Sequence, residues 1–369
     1  MNRPLTVVFT GGGTGGHLFP AIAIAEALLL RDPATRVSFA GSRRKIEAVV
    51  VPKRGFAFDA IWISGFRRRF SAETLSLPLK VVVSLWQSFR LLRARKPDVV
   101  VGTGGYVSGP VVAMAARMGT PTLIQEQNEY PGVTTRALSG MVDEVHITFD
   151  STRRMLPRAK KVVLSGNPVR QSLSRAETGT ARRAFGLDPA LPVVFVFGGS
   201  LGAASINRAV VTMLPRFAEE RVQVLWQTGT AQFVDMQRAA AGMPHAAVRA
   251  FIDEMHVAYS AATLVVCRAG ATSIAELTAL GIPAILVPYP HAAADHQRKN
   301  ARALAGGGAA RIVEDAAIET LEDTLFPLLR DGDALRRMAE SARGLGRPEA
   351  AFDIADAVIR LAQLSPSRR

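Results

Sequence analysis

Residues 6–16 read TVVFTGGGTGG, and residues 193–203 read VVFVFGGSLGA. Each is a short, largely β-branched run that stops at glycines and passes into a helical pattern. Such a strand–glycine loop–helix unit opens a doubly wound α/β sheet, where the loop N–H groups and the helix dipole together favour an anion. The unit occurs twice, so the chain is expected to fold as two similar halves.

Short apolar runs alternate with helical stretches toward both ends. Strands are expected at Thr6–Thr10, Val37–Ala40, Val99–Val101, Thr122–Gln125, Glu144–Thr148, Lys161–Leu164, Val193–Phe197, Val222–Gln227, Val248–Phe251, Thr263–Cys267 and Ala284–Val287. Several are apolar without alternation, as parallel strands covered on both faces are. The fold class is therefore α/β, with two Rossmann-like doubly wound domains. The stretch SGNPVRQSLSR (165–175) carries Asn-Pro and then polar residues, and marks the junction. The domains are placed at 1–164 and 165–349. A last helix, 350–366, follows Gly346-Arg347-Pro348 and is free to pack on either.

The 369 residues suffice for two domains, and 48% apolar content fills sizeable cores. One cysteine, Cys267, excludes an internal disulfide framework and a thiolate metal cluster, and reads as a reducing compartment. No secretory leader is expected, since Met1-Asn2-Arg3-Pro4 runs directly into Leu5–Thr10. No apolar run reaches the roughly 18 residues of a membrane span. Against 31 Asp+Glu stand 45 Lys+Arg, a net +14, which favours nucleic acid, anionic lipid or a phosphorylated substrate. An arginine-rich proteome accounts for the same balance. Few aromatics and no basic–aromatic alternation count against nucleic acid.

Gly11, Gly13 and Gly16 match G-x-G-x-x-G. A dinucleotide fold would then want an acid about 20 residues on, to hold a ribose. The second strand ends FAGSRRK (39–45), with Arg43 and Arg44 and no acid. That keeps an NADP-dependent oxidoreductase open and weakens it. Two more glycine loops follow strands, VGTGGYVSGP (101–110) and GGSLGA (198–203). Three such loops suit two walls that each handle phosphates.

In CRAGATSIAELTALGIPAILVP (267–288) a strand turns through Gly270, Ala271 and Thr272 into a helix. Glu276 is placed in its first turn, where Ser273 and Glu276 have the S-x-x-E spacing of a capping box. The alternative is a carboxylate accepting two hydrogen bonds from a ribose diol. PYPHAAADHQRKNA (288–301) gathers His291, His296, Gln297 and Asn300. Histidines at i,i+5 are poorly spaced for one metal, so the stretch reads as a polar, sugar-facing loop.

GGGTGGHLFPA, GTGGYVSGP, QEQN, GNPVR, GGSLGA, CRAGATSIAEL and ADHQRKNA occur in this order to about residue 302. The ordered set resembles the bacterial MurG family. Its members are UDP-N-acetylglucosamine:N-acetylmuramyl-(pentapeptide)-pyrophosphoryl-undecaprenol N-acetylglucosamine transferases of the GT-B fold, two Rossmann-like domains facing across a cleft. Related glycolipid glycosyltransferases share the glycine-rich helix and its glutamate. A UDP-GlcNAc 2-epimerase of similar fold, needing no lipid acceptor, is a further alternative, as is a non-catalytic binder of anionic membranes.

The resemblance implies that the second domain holds UDP-GlcNAc and the first faces lipid I. Glu276 would bind the uridine ribose, Ser200 the donor phosphates, and Ile252 would present its backbone to uracil. Arg170 would lie near the nucleotide. Ala271 and Thr272 would meet donor sugar or phosphate. Asn128, Gln297 and His296 would hydrogen-bond GlcNAc. Leu201 stands where many members have glutamine, and His296 where some do. The acceptor diphosphate would meet Gly13, Thr14, Gly15, Gly104, Gly105 and Tyr106, with Thr14, Gly15, Gly16 and His17 reaching the sugar.

The implied β-1,4 bond from an α-linked donor inverts the anomeric centre. A base must take the attacking hydroxyl's proton, and positive charge must meet departing UDP. His17 is the candidate base, since imidazole titrates near about 6.5; holding a phosphate or capping the turn is its other reading. Glu126 or Asn128 could position the acceptor or share the base role. No metal or other cofactor is expected: Asp331-Gly332-Asp333 is a turn between helices, and helix dipoles can stabilise the leaving group.

Residues 62–98 hold Leu75, Leu79, Val82, Trp86 and Phe89 on one helical face, with Arg67–Arg69 before and Arg90, Arg93, Arg95 and Lys96 after. Pro78 places the helix start near it. The face either packs on a core or dips into an anionic bilayer; a lipid-linked acceptor prefers the second. The expected partners are thus UDP-GlcNAc, lipid I, an anionic phospholipid surface and other proteins of cell-wall synthesis and division, with no nucleic acid. The expected place is the cytoplasmic face of the inner membrane.

Overall fold

The computed structural model describes residues 3–63, 77–170, 173–199 and 202–364. The chain divides into two compact units, Met1–Gln171 with Pro348–Arg369, and Ser172–Arg347. The division after Gln171 falls inside the 165–175 stretch.

The first unit holds β1 (Thr6–Thr10), β2 (Arg36–Ser42), β3 (Ala57–Ile61), β4 (Val99–Gly102), β5 (Thr122–Glu126), β6 (Glu144–Ile147) and β7 (Val162–Leu164). They form one sheet in the order β3-β2-β1-β4-β5-β6-β7, every pair parallel. The second unit holds β8 (Val193–Phe197), β9 (Gln223–Gln227), β10 (Ala246–Arg249), β11 (Leu264–Cys267), β12 (Ala284–Leu286) and β13 (Ala310–Ile312). Their order is β10-β9-β8-β11-β12-β13, again all parallel. Both are doubly wound sheets whose strand order reverses beside the first strand, between β1 and β4 and between β8 and β11. Loops at such a reversal open a crevice at the strands' carboxyl ends.

The apolar runs are central because both their faces are covered. Val7, Val8 and Phe9 are buried, as are Val99–Val101, and Phe9 stacks on Phe39 at 5.3 Å. In the second unit Trp226 is fully buried and donates from Nε1 to Asn207 Oδ1 at 2.9 Å. Two strands escaped the sequence reading, β3 and β13. Both are sheet edges, AFDAI and ARI, with a charged residue inside and only partial burial. An edge strand has one neighbour and does not need a continuous apolar run. β10 lies two residues earlier than expected, ending at Arg249.

The last helix, Ala350–Ala362, returns to the first unit. Ile354, Val358 and Leu361 join the core that contains Ile24 and Leu28 of the helix Gly15–Arg31. Arg31 pairs with Asp356 at 3.0 Å, and Arg360 reaches Glu144 at 3.0 Å. Burial raises the Glu144 pKa, but His146, Lys161 and Arg360 outweigh it and hold the carboxyl at about 2. Among the described residues no helix is long and apolar enough to cross a membrane.

Candidate functional site

After β1, Gly11–Gly13 turn the chain into the helix Gly15–Arg31. Thr14 is its N-cap in an extended conformation, and its hydroxyl makes no cap hydrogen bond. The first N–H groups of a helix lack intrahelical partners, so this end presents them to an anion. Crowding demands the glycines. A Cβ on Gly11 would stand 1.9 Å from Thr103 Oγ1, and one on Gly12 2.4 Å from the Glu47 carboxyl carbon. Glu47 is 1% exposed. It accepts the N–H of Ser42 at 3.0 Å and of Gly13 at 2.9 Å, tying the loop to the end of β2.

The loop after β4 packs on this one. Gly104 and Gly105 have φ of +95° and +77°. A Cβ on Gly104 would lie 2.8 Å from His17 Nδ1, and one on Gly105 2.5 Å from Gly12 O. The Tyr106 ring lies beside Gly13. Burial and the Glu47 charge raise the Tyr106 pKa, so the phenol stays an O–H donor. Half-buried His17 directs Nδ1 at Gln127 Oε1 (2.9 Å) and Thr103 O (3.1 Å). Gly13, Thr14, Gly15, Gly16, His17, Gly104, Gly105 and Tyr106 thus converge at the reversal point of the first sheet.

Glu126, at the end of β5, is different. Its carboxylate accepts from Asn128 N, Asn128 Nδ2, Gly132 N and Thr135 Oγ1, at 3.1, 3.4, 2.9 and 2.6 Å. A buried carboxylate so engaged braces the turn that carries Asn128. Arg170 is half-buried and belongs to the first unit's segment.

In the second unit the glycine loop 198–203 leads into the helix Ala204–Glu219, whose N-cap Ala203 has no side-chain cap. Ser200 and Leu201 lie outside the described residues. A Cβ on Gly202 (φ +78°) would meet Thr228 O at 2.1 Å. The helix Ala271–Leu280 starts at N-cap Gly270, again without a side-chain cap. This overturns the capping box: Ser273 is inside the first turn, not at the cap, and Glu276 sits beyond that turn. Glu276 is 4% exposed and accepts a hydrogen bond from Tyr259 Oη at 2.9 Å. Thr272 Oγ1 is buried without a partner among the described residues. Burial and then the Glu276 charge push the Cys267 thiol's pKa up, which keeps it inert.

Ile252 is buried, and its N–H donates to Gln227 Oε1 at 2.9 Å. A uracil contact through that N–H has to compete with Gln227. His296 and Gln297 open the helix His296–Gly306. Ahead of it Ala294 and Asp295 hold φ of +52° and +56°, strain of a kind that gathers at ligand clamps. His296 Nδ1 donates to Ala293 O at 2.6 Å, and Gln297 Oε1 accepts from Tyr289 N at 2.9 Å.

The helix Leu77–Arg95 turns Leu79, Val82 and Trp86 outward, at 59%, 64% and 55% exposure, while Ser84, Ser88 and Leu92 are buried. The core-facing reading of the stripe is therefore wrong for these three. Arg90 lies 4.9 Å over the Trp86 ring, Arg93 5.5 Å over Phe89, and Lys80 5.9 Å over Trp62. Leu75 and Arg67–Arg69 lie outside the described residues.

Sequence reasoning did not single out Glu47, Gln127 or Tyr259. A lone acid inside the apolar IEAVVV (46–51) was a signal for Glu47. Gln127 and Tyr259 act through residues distant in sequence and left none.

Residues 7–147 match the glycosyltransferase family 28 N-terminal domain, and residues 193–356 its C-terminal domain. A UDP-N-acetylglucosamine--N-acetylmuramyl-(pentapeptide) pyrophosphoryl-undecaprenol N-acetylglucosamine transferase of Salinibacter ruber is 46% identical, covering 96% of each chain. Its counterpart in Prosthecochloris aestuarii is 43% identical over 98% of this chain and all of its own. The crystal structure of Acinetobacter baumannii MurG superposes with a TM-score of 0.78 at 30% identity, covering 97% of this chain and 100% of that one. A putative UDP-N-acetylglucosamine 2-epimerase from Listeria monocytogenes shares the fold, with a TM-score of 0.70 at 13% identity, covering 97% of this chain and 96% of that one.

Proposed function

The chain belongs to the MurG family within glycosyltransferase family 28, and from that premise we propose how its residues divide the work. It is an N-acetylglucosaminyltransferase. It moves GlcNAc from UDP-GlcNAc to the MurNAc C4 hydroxyl of N-acetylmuramyl-(pentapeptide) pyrophosphoryl-undecaprenol, with inversion, releasing UDP in peptidoglycan synthesis.

Two diphosphates must be held, one on each substrate. What supports the division is that the helices after β1, β8 and β11 start beside the points where the strand order of the two sheets reverses, with no side chain capping their N–H groups. Gly15–Arg31 takes the acceptor diphosphate, with the Tyr106 hydroxyl as a further donor. Ala204–Glu219 and Ala271–Leu280 take the donor diphosphate, with Ala271 and Thr272 at the mouth of the second and Ser200 as a further contact to the phosphates. Glu276 accepts from the uridine ribose hydroxyls, steadied by Tyr259. Ile252 borders the uracil, and Arg170 lies near the nucleotide. Asn128, His296 and Gln297 hydrogen-bond the sugar.

In the transfer, the MurNAc O4 lone pair forms the bond to C1. The C1–O bond to the diphosphate breaks with its electrons on UDP, and the hydroxyl proton passes to His17 Nε2. The helix N-termini oppose the charge growing on the leaving group, so the reading invokes no metal.

A substrate with an undecaprenyl chain stays in a bilayer. Leu79, Val82 and Trp86, flanked by Arg90 and Arg93, form an apolar patch with basic surroundings suited to anionic headgroups. We place the enzyme peripherally on the cytoplasmic face of the inner membrane, where other proteins of wall synthesis and division would meet it. Co-sedimentation with phosphatidylglycerol vesicles should weaken in Trp86→Ser; equal sedimentation would refute the patch.

The decisive experiment uses radiolabelled UDP-GlcNAc and a short-chain lipid I analogue. His17→Ala should lower kcat by roughly 10²- to 10⁴-fold with the donor KM little changed. Normal turnover would take His17 out of the mechanism.

A further inference from the structure

A neutral imidazole has one donor and one acceptor nitrogen, and the hydrogen bond at one decides the role of the other. His17 Nδ1 faces two oxygens, Gln127 Oε1 at 2.9 Å and Thr103 O at 3.1 Å. Thr103 O is a carbonyl and can only accept. Gln127 presents its oxygen because of what surrounds its nitrogen. Nε2 donates to Thr103 O at 2.7 Å, to Gln125 O at 3.1 Å and to Gln125 Oε1. Turning the amide over would set its oxygen against three others, so the network itself decides the orientation. Gln125 is held in turn: its own Nε2 points to Asn167 Oδ1 at 3.4 Å and Gly166 O at 3.5 Å. Gln125, Gln127 and Asn167 are all buried. Among the described residues the titratable groups on the elements around His17 include Glu47 against Gly12 and Gly13, Tyr106 beside Gly13, and Glu126 next to Gln127 in the chain. No hydrogen bond joins them to His17.

We propose that Gln127 is a positioning residue: with Thr103 O it keeps the proton on His17 Nδ1, leaving the Nε2 lone pair as the ring's only acceptor. The inference rests on His17 being the base of the transfer. A base with its proton on Nε2 would point an N–H at the hydroxyl it must deprotonate. Gln127 acts as a neutral group, so it sets the tautomer without placing a charge beside the acceptor diphosphate.

The test is a long-range ¹H–¹⁵N correlation spectrum of the full chain labelled at its six histidines, recorded where the rings are neutral and assigned with His17→Ala. The wild type should show His17 as Nδ1–H. Gln127→Met leaves Thr103 O alone on Nδ1, so an Nε2–H population should appear. In that variant kcat should fall roughly ten-fold while the UDP-GlcNAc KM stays within about two-fold. Gln127→Glu, with its carboxyl protonated, donates from one oxygen toward Thr103 O and offers the other to Nδ1, so it should recover part of the turnover. A wild-type ring with Nε2–H overturns the proposal, even where Gln127→Met fails to fold. So do an unchanged His17 signal in Gln127→Met and a loss in Gln127→Glu equal to that in Gln127→Met. Normal turnover in His17→Ala would remove the base reading, with Nδ1–H still visible in the wild type. An inactive His17→Ala beside a wild-type Nε2–H ring would remove Gln127's role alone.

Discussion

The two strand–glycine–helix units look alike in sequence and are held in different ways. In the first, a buried carboxylate does the holding: Glu47 takes the N–H groups of Gly13 and Ser42. In the second, backbone presses on backbone. A Cβ on Gly198 would meet Ala203 N at 2.3 Å, and one on Gly202 would meet Thr228 O. The first helix carries a histidine in its opening turn. The second opens with Ala204, Ser205 and Ile206, and Ser205 is tied to Asp315 at 2.5 Å. One motif is therefore built in two ways. Both ends can face a diphosphate, and the first carries an imidazole beside it.

Substitutions can break this contrast. The largest effect is expected from Gly202→Ala, where left-handed strain adds to a backbone collision, about 3–5 kcal/mol together. Thermal unfolding should show it, and a Tm equal to wild type would mean the second loop yields more easily than described. Next is Glu276→Ala, which should weaken UDP binding roughly 100-fold and leave lipid I analogue binding alone. Calorimetry on the folded variant would decide; unchanged UDP affinity would strip Glu276 of its ribose role. Glu47→Gln is smaller. It sets an amide nitrogen against one backbone N–H and should cost about 2 kcal/mol. The acceptor KM should rise and UDP affinity should not. A change in UDP affinity instead would blur the distinction between the loops.

The smallest effect is a control away from both loops. Glu144→Gln should cost about 1–2 kcal/mol without altering either substrate's binding. The wild-type carboxyl is lowered from 4.5 to about 2, so its contribution is present above 4.5 and fades as pH falls toward 2. The Tm gap between wild type and variant should therefore close over that interval. A gap constant with pH would count against the Glu144–Lys161–Arg360 cluster.

Much of the fold was legible because its signals are local. An apolar run ending in glycines needs no distant partner to be recognised, and two such runs announced two sheets. The edge strands β3 and β13 were missed because an edge need not be uniformly apolar. The site was legible in part. His17, Tyr106 and the glycines stand in conspicuous motifs. The S-x-x-E spacing misled, because the helix began at Gly270 and left Glu276 past the first turn. The outward direction of Leu79, Val82 and Trp86 was equally ambiguous, since an amphipathic stripe does not say which side meets a core.

By itself, then, the sequence determined the α/β class, the pairing of two doubly wound units and the family, all of which rest on order and short-range pattern. Only the tertiary structure decided that Glu47 pins the first loop, that Glu126 is consumed by its own turn, and that Gln127 meets His17 from 110 positions away. Those roles depend on which distant polar groups are brought within hydrogen-bond reach in a buried place. No local pattern carries that information, because burial and partnership are properties of the packed chain.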